Sequence, residues 1–195
     1  MRAELYIAAV PAGEMGEVFP PRRQAQLEET KNIPHRRQRY FVWKLLEYGL
    51  RQSLGLSMEQ VGLSLDDRGR WSCDGCFFSL THSGGAVAVA ISDAPVGVDL
   101  ERLDRKLHPG LPKNILTAAQ LREFAALPEI RQKTYLLEKW CERESLFKWK
   151  EAAPAEDPPK PSTGTVTVAE QEYCYALVTE APHRLILLKE KDLWY

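Results

Sequence analysis

The sequence predicts an α+β fold made of two halves that meet near Gly97. Three observations carry that prediction. Patterned segments run strand, helix, strands, and then helices followed by strands, so each half mixes both element types. The turn signal Asp93-Ala94-Pro95 stands just before Gly97 and divides the chain into residues 1–96 and 97–195. With 44% hydrophobic and 27% charged residues, a chain of 195 residues can bury a core in each half. No internal repeat is visible by residue identity.

Each element has its own signal. Leu5–Val10 is an apolar run of strand length. From about Pro34, apolar residues recur at Phe41, Leu45 and Tyr48 and at Val42, Leu46 and Leu50, which is helical spacing, and Gly55 ends the helix. Val61–Leu65 reads as a short strand before a turn at Asp67–Gly69. "CFFSLTHS" and "AVAVAIS" are two strands around Gly84-Gly85, and "VGVDLE" is the next. Thr117 caps "TAAQLREFAAL" with Gln120 at the capping-box position. Pro128 opens a long helix from Glu129 to about Lys150. "EAAPAEDPPKPSTG" is a proline-rich loop, and "TVTVAEQEYCYALVTE" and "RLILLKE" close the chain as strands.

Composition narrows the function classes. A net charge of −1 argues against a bulk nucleic-acid binder. The N-terminal apolar run is too short for a signal peptide, and no segment approaches the ~20 apolar residues of a membrane span, so a cytoplasmic protein is expected. Of the four cysteines, Cys73 and Cys76 form "CDGC". This is either a hairpin turning on Asp74-Gly75 or half of a zinc or redox pair.

The candidate chemistry sits at "GVDLERLDRK". Asp99 and Glu101 alternate on one strand face, where like charges repel unless a cation lies between them. On the long helix, Trp140, Glu144 and Lys148 are four apart and share a face. Glu144 and Lys148 could simply be a surface ion pair. Joined to Asp99 and Glu101, Glu144 makes an oxygen-rich site for a hard cation such as Mg²⁺, with Lys148 one turn along to meet phosphate. His82 follows a strand and is either a turn residue or a ligand contact. Arg36, Arg37 and Arg39 are poorly placed for a helix dipole, which suits anion binding but also a solvated helix end.

The pair "GVDLE" and, 45 residues on from Asp99 to Glu144, "WCERESLFK" resembles the signature of the 4′-phosphopantetheinyl transferases. "SLTHS", "GRW" and "HRRQRYFVWKLLEYGL" resemble three further family segments, so the likeness spans about residues 35–150. The resemblance implies transfer of phosphopantetheine from coenzyme A to a serine of an apo acyl or peptidyl carrier protein, with 3′,5′-ADP released. It implies Mg²⁺ on Asp99, Glu101 and Glu144, Glu144 also as base for the carrier serine, and Lys148 on the pyrophosphate. His82, Arg36, Arg37, Arg39 and Arg70 resemble coenzyme A contacts, Arg70 in place of a lysine. The implied fold is two similar halves packed as an intramolecular pseudo-dimer, a monomer with coenzyme A in its cleft. The first half would hold coenzyme A phosphates and the second the metal and catalytic groups. Arg143 stands where a lysine is usual and Gln120 where a glutamate is common. The glycine turn expected after Lys150 is replaced by "EAAPAEDPP". A metal-dependent phosphohydrolase and a catalytically silent coenzyme A or carrier binder are the rival readings.

Overall fold

The structure, a computed structural model, describes residues 2–154 and 156–189. Its architecture is mixed α+β. β1 (Ala3–Ala9) leads through a short α1 (Pro21–Glu28) to a long α2 (Ile33–Leu54). Asn32 starts α2 by accepting the His35 backbone N–H, and Gly55 ends it with a φ of 70° that a side chain would oppose. β2 (Ser64–Leu65) and β3 (Trp71–Ser72) form a small ribbon. β4 (Phe77–Ser83), β5 (Ala86–Ser92) and β6 (Gly97–Arg102) follow. α3 (Leu111–Ile115), α4 (Ala118–Ala126) and α5 (Glu129–Ala152) come next, then β7 (Ser162–Val168), β8 (Gln171–Val178) and β9 (His183–Leu188). Thr117 and Gln120 make the expected reciprocal capping box on α4. Among the described residues no helix is long and apolar enough to cross a membrane.

Two main sheets result. One has the order β4-β5-β1-β9, with β5 antiparallel to β4 and β1 and β9 parallel to β1. The other is antiparallel, in the order β6-β8-β7. The final strand thus returns to the sheet that the first strand began. β5 is buried on both faces because a layer covers each one. Val87, Val89 and Ile91 pack into the core built on α2. Ala86, Ala88 and Ala90 face the second core, with Val98, Leu100, Tyr173 and Leu177. α5 lies on β6 and β8.

The seat of α5 is set by Gly97. A Cβ there would come within 2.0 Å of the Ser145 carbonyl oxygen and 2.6 Å of the Trp149 nitrogen, both backbone atoms of the helix. Ser145 opposite is fully buried and Trp149 is also fully buried. Backbone-to-backbone approach of this kind needs small residues on both elements.

Several elements differ from the sequence reading. α1 and α3 carry no clear apolar period, and the reading missed both. Strand structure expected over Val61–Leu65 shrinks to Ser64–Leu65, because Gly62 takes a φ of 56° and breaks the extension. "CDGC" is not a hairpin: β3 pairs with β2 and β4 with β5, so the strands on either side belong to different sheets. α5 continues to Ala152, and β7 begins at Ser162, inside the expected loop. Ala155 of that proline-rich run and Glu190 of the last expected strand lie outside the described residues.

Gly97→Ala should lower stability by about 1–3 kcal/mol or more, because neither backbone can yield without moving the helix. Urea unfolding of the two proteins checks this, and an unchanged midpoint would contradict the close approach.

Candidate functional site

Strand periodicity places Ser79, Thr81 and Ser83 on one face of β4, and that face meets β6. Ser79 Oγ accepts the Val98 N–H at 3.0 Å. Thr81 Oγ1 donates to Asp99 Oδ1 at 2.9 Å, and Ser83 Oγ donates to Glu101 Oε2 at 2.6 Å. Three hydroxyls therefore join the two sheets and hold both acids. Asp99 and Glu101 are only 6% and 8% exposed. Two carboxylates this buried need cationic company. They have it: Lys148 Nζ lies 2.9 Å from Asp99 Oδ1 and donates to the Val98 carbonyl at 2.9 Å. Arg105 lies 2.5 Å from Glu101 Oε1, with its guanidinium 5.5 Å from the centre of the Trp140 ring.

Asp99 Oδ2 is buried and accepts no hydrogen bond among the described residues. A carboxylate oxygen costs free energy in that state, so it marks a place where a further cation or donor fits. Glu144 is half-buried one turn before Lys148 and has no hydrogen bond or ion pair among the described residues. The three acids of the sequence reading are not drawn into one cluster. Among the described residues no three His, Cys, Asp or Glu side chains stand close enough to hold a metal ion. The donor set nevertheless suits a hard cation: two adjacent acids on β6, one with an unused oxygen, as Mg²⁺ uses when phosphate and water complete its shell. Arg143, in the usual place of a lysine, donates to the Asn114 carbonyl at 2.6 Å and ties α5 to α3.

On the other face of β4 stands a basic group. The His82 ring centre is 5.2 Å from that of His35. Burial first, then the nearby positive charges of His35, Lys148, Arg39 and Arg23, push the His82 pKa down to about 4. Arg23 is 6% exposed, lies 4.7 Å from the centre of the Trp43 ring, and donates to the Arg39 carbonyl at 2.8 Å. Its Nε, like that of Arg36, is buried without a partner among the described residues. Burial and then neighbouring Arg39 lower the Arg23 pKa to about 10. Arg39 donates to Thr30 Oγ1 at 2.7 Å. Arg37 is committed differently: it donates to the carbonyls of Pro11 and Gly13 and stacks on Phe41. Arg23, Arg70 and Lys148 line one cleft of about 310 Å³, with Glu151 on its wall. That cleft carries more positive than negative groups, which is what a phosphate-bearing ligand requires.

The structure thus brings Asp99, Glu101 and Lys148 together, and gathers His82 and Arg39 with Arg23. The sequence reading missed Arg23, Arg105 and the three hydroxyls. The S-x-T-x-S alternation of residues 79–83 was a usable signal for the hydroxyls, whereas Arg23 sits in a helix with no apolar period to announce it.

Residues 95–154 match the family model of the 4′-phosphopantetheinyl transferase superfamily. Over 107 residues the chain is 26% identical to the 4′-phosphopantetheinyl transferase psf-1 of Bacillus pumilus, covering 53% of this chain and 46% of that protein. The chain therefore spans a little under half the length of that curated relative. The family match contains Asp99, Glu101, Glu144 and Lys148.

The buried neutral His82 makes stability depend on pH. Its folded pKa, about 4, lies below the ordinary value near 6.5, so the unfolded chain binds more protons between those limits. Its contribution is present above about pH 6.5 and lost as pH falls toward 4. Between pH 7 and pH 5 the wild type should lose on the order of 1 kcal/mol more than His82→Gln, read from urea midpoints at both pH values. Equal losses in the two proteins would contradict the burial of a neutral imidazole.

Proposed function

We propose that the chain, whose residues 95–154 match the family model of the 4′-phosphopantetheinyl transferase superfamily, moves 4′-phosphopantetheine from coenzyme A to a serine of an apo acyl or peptidyl carrier protein. The other product is 3′,5′-ADP. One observation above all supports this: a buried acid pair, Asp99 and Glu101, stands beside Lys148 with one carboxylate oxygen unused. That is the chemistry needed where a pyrophosphate is cleaved.

Each residue has a role in this reading. Asp99 and Glu101, together with Glu144 of α5, are the residues that would hold Mg²⁺ through carboxylate oxygens. Mg²⁺ bound there supplies neutralisation of the pyrophosphate charge. Lys148 leaves Asp99 for the pyrophosphate oxygens and favours the leaving 3′,5′-ADP. Glu144, which makes no hydrogen bond or ion pair among the described residues, takes the proton of the carrier serine, whose oxygen attacks the β-phosphorus of coenzyme A in line. Arg23, Arg36, Arg39, Arg70 and His82 hold the remaining phosphates. Arg37 fixes the loop at Pro11 to Gly13 beside them.

The domain reading follows the same family logic. Residues 1–96 and 97–195 form the two halves of an intramolecular pseudo-dimer, as in the larger, monomeric class of the superfamily, with β9 of the second half crossing back to pair with β1. Each half supplies one long helix packed on a sheet, α2 on the first and α5 on the second, and coenzyme A lies between them. The protein acts as a cytoplasmic monomer, and its partners are coenzyme A and the carrier.

The test is direct. Incubated with coenzyme A, Mg²⁺ and a panel of apo-carrier proteins, the chain should add phosphopantetheine to a carrier serine, seen by mass spectrometry. Glu144→Gln should slow turnover roughly 10²–10⁴-fold while coenzyme A affinity changes far less. Arg23→Gln should instead weaken coenzyme A binding roughly tenfold or more by calorimetry. Hydrolysis of coenzyme A without any carrier would favour the phosphohydrolase, and binding without either reaction would favour a silent relative.

A further inference from the structure

The "CDGC" segment lies outside the carboxylate site and carries a chemistry of its own. Cys73 Sγ and Cys76 Sγ are 3.1 Å apart, and the Cys73 thiol also points to the Cys76 carbonyl at 3.6 Å. The backbone makes this approach possible. Gly75 takes a φ of 78°, so the chain turns back within two residues. The Asp74 N–H is anchored on the Val61 carbonyl at 2.9 Å. Neither flanking strand pairs with the other, so no ladder opposes a small movement of the bend.

Access separates this pair from the other two thiols. Cys73 is half-exposed and, with Cys76, lines a cavity of about 450 Å³. Cys141 and Cys174, 3.7 Å apart, are both fully buried. Reactivity toward a small oxidant needs a reachable sulfur with thiolate character. In the first pair, hydrogen bonding from Cys73 lowers the Cys76 pKa, while the Cys73 thiol that donates is raised. Loss of one proton therefore leaves a thiolate with the second S–H beside it to stabilise it. In the other pair, the hydrogen bond to Cys174 and then burial raise the Cys141 thiol and keep it inert.

We propose that Cys73 and Cys76 are a redox-active dithiol, an oxidation site that a small disulfide such as oxidised glutathione converts to an intrachain disulfide without unfolding the protein. The steps balance as ordinary exchange. Once the pair has lost one proton, the remaining proton passes across the 3.1 Å contact from Cys73 to Cys76, and the Cys73 sulfur, the reachable one, attacks one sulfur of the glutathione disulfide. The S–S bond of glutathione breaks, and one glutathione leaves carrying a proton. Cys76, now deprotonated, attacks the Cys73 sulfur of the mixed disulfide and expels the second glutathione, which takes the second proton. The protein loses two electrons and two hydrogens, and one glutathione disulfide becomes two thiols. Closing the bond requires the sulfurs to approach by only about 1 Å, since a disulfide spans about 2.05 Å. The site adjoins the anion cleft: Arg70, Trp71 and Glu151 line both cavities.

The folded full-length chain, equilibrated in buffers of reduced and oxidised glutathione, is then alkylated and mapped by mass spectrometry. The expected result is loss of two of the four thiols, a peptide around residues 73–76 lighter by two hydrogens, and recovery with dithiothreitol. Cys73→Ser and, separately, Cys76→Ser should each abolish that intrachain bond. The oxidised wild type should unfold at a temperature no lower than the reduced form. No oxidation, a persistent glutathione adduct on wild-type Cys73, or a Cys141–Cys174 bond in its place would overturn the proposal. So would a lowered unfolding temperature on oxidation, since the bend would then not accommodate the bond.

Discussion

The missing side chain at Gly97 governs the geometry of the site. Because the backbone of β6 can lie directly under Ser145 and Trp149, α5 runs close across the strand that carries Asp99 and Glu101. The helix period then places Lys148 one turn beyond Glu144 on the side facing those acids. If a Cβ stood at position 97, the helix would have to lift. Lys148 could then not reach both the Val98 carbonyl and Asp99, each now 2.9 Å away. A packing constraint on one residue thereby sets the spacing of charges on two elements.

β4 organises the rest by simple alternation. Its hydroxyl face turns to β6 and supplies donors to both carboxylates. Its opposite face carries His82 toward His35 on α2. One strand thus separates an acidic centre from a basic one and holds both in register. The acids are balanced by Lys148 and Arg105, whereas Arg23 is buried without a carboxylate partner among the described residues. Burying cations in this way costs stability. A bound polyanion would recover that cost by supplying the missing counter-charge, and the proposed function puts the coenzyme A phosphates at this end. The proposed function puts the cation at the acidic end, where one Asp99 oxygen has no hydrogen-bond partner among the described residues.

Much of this was legible in the sequence, for identifiable reasons. The apolar runs of β4, β5 and β6 and the long periods of α2 and α5 announced themselves, as did the Thr117 capping box. Asp99, Glu101 and Lys148 were found because strand and helix periods fix which side chains share a face. What was missed depends on tertiary contact. The 169–170 turn of the β7–β8 hairpin uses Ala169 and Glu170 at positive φ, where an Asn-Gly pair would have signalled it. The return of β9 to pair with β1 joins residues far apart in sequence, and no local pattern encodes that. Arg105 reaches Glu101 from a loop, and the burial of Arg23 comes from its packing on Trp43. Neither contact leaves a periodic trace.

We propose that the acid pair seated under α5 is a divalent-cation site. This is tested most directly by titrating the chain with Mn²⁺, a probe ion of similar preference for oxygen ligands, and following binding by calorimetry or paramagnetic resonance. The wild type should bind saturably, and Asp99→Asn should bind roughly tenfold or more weakly with its fold unchanged by circular dichroism. Equal affinity in the two proteins would contradict it.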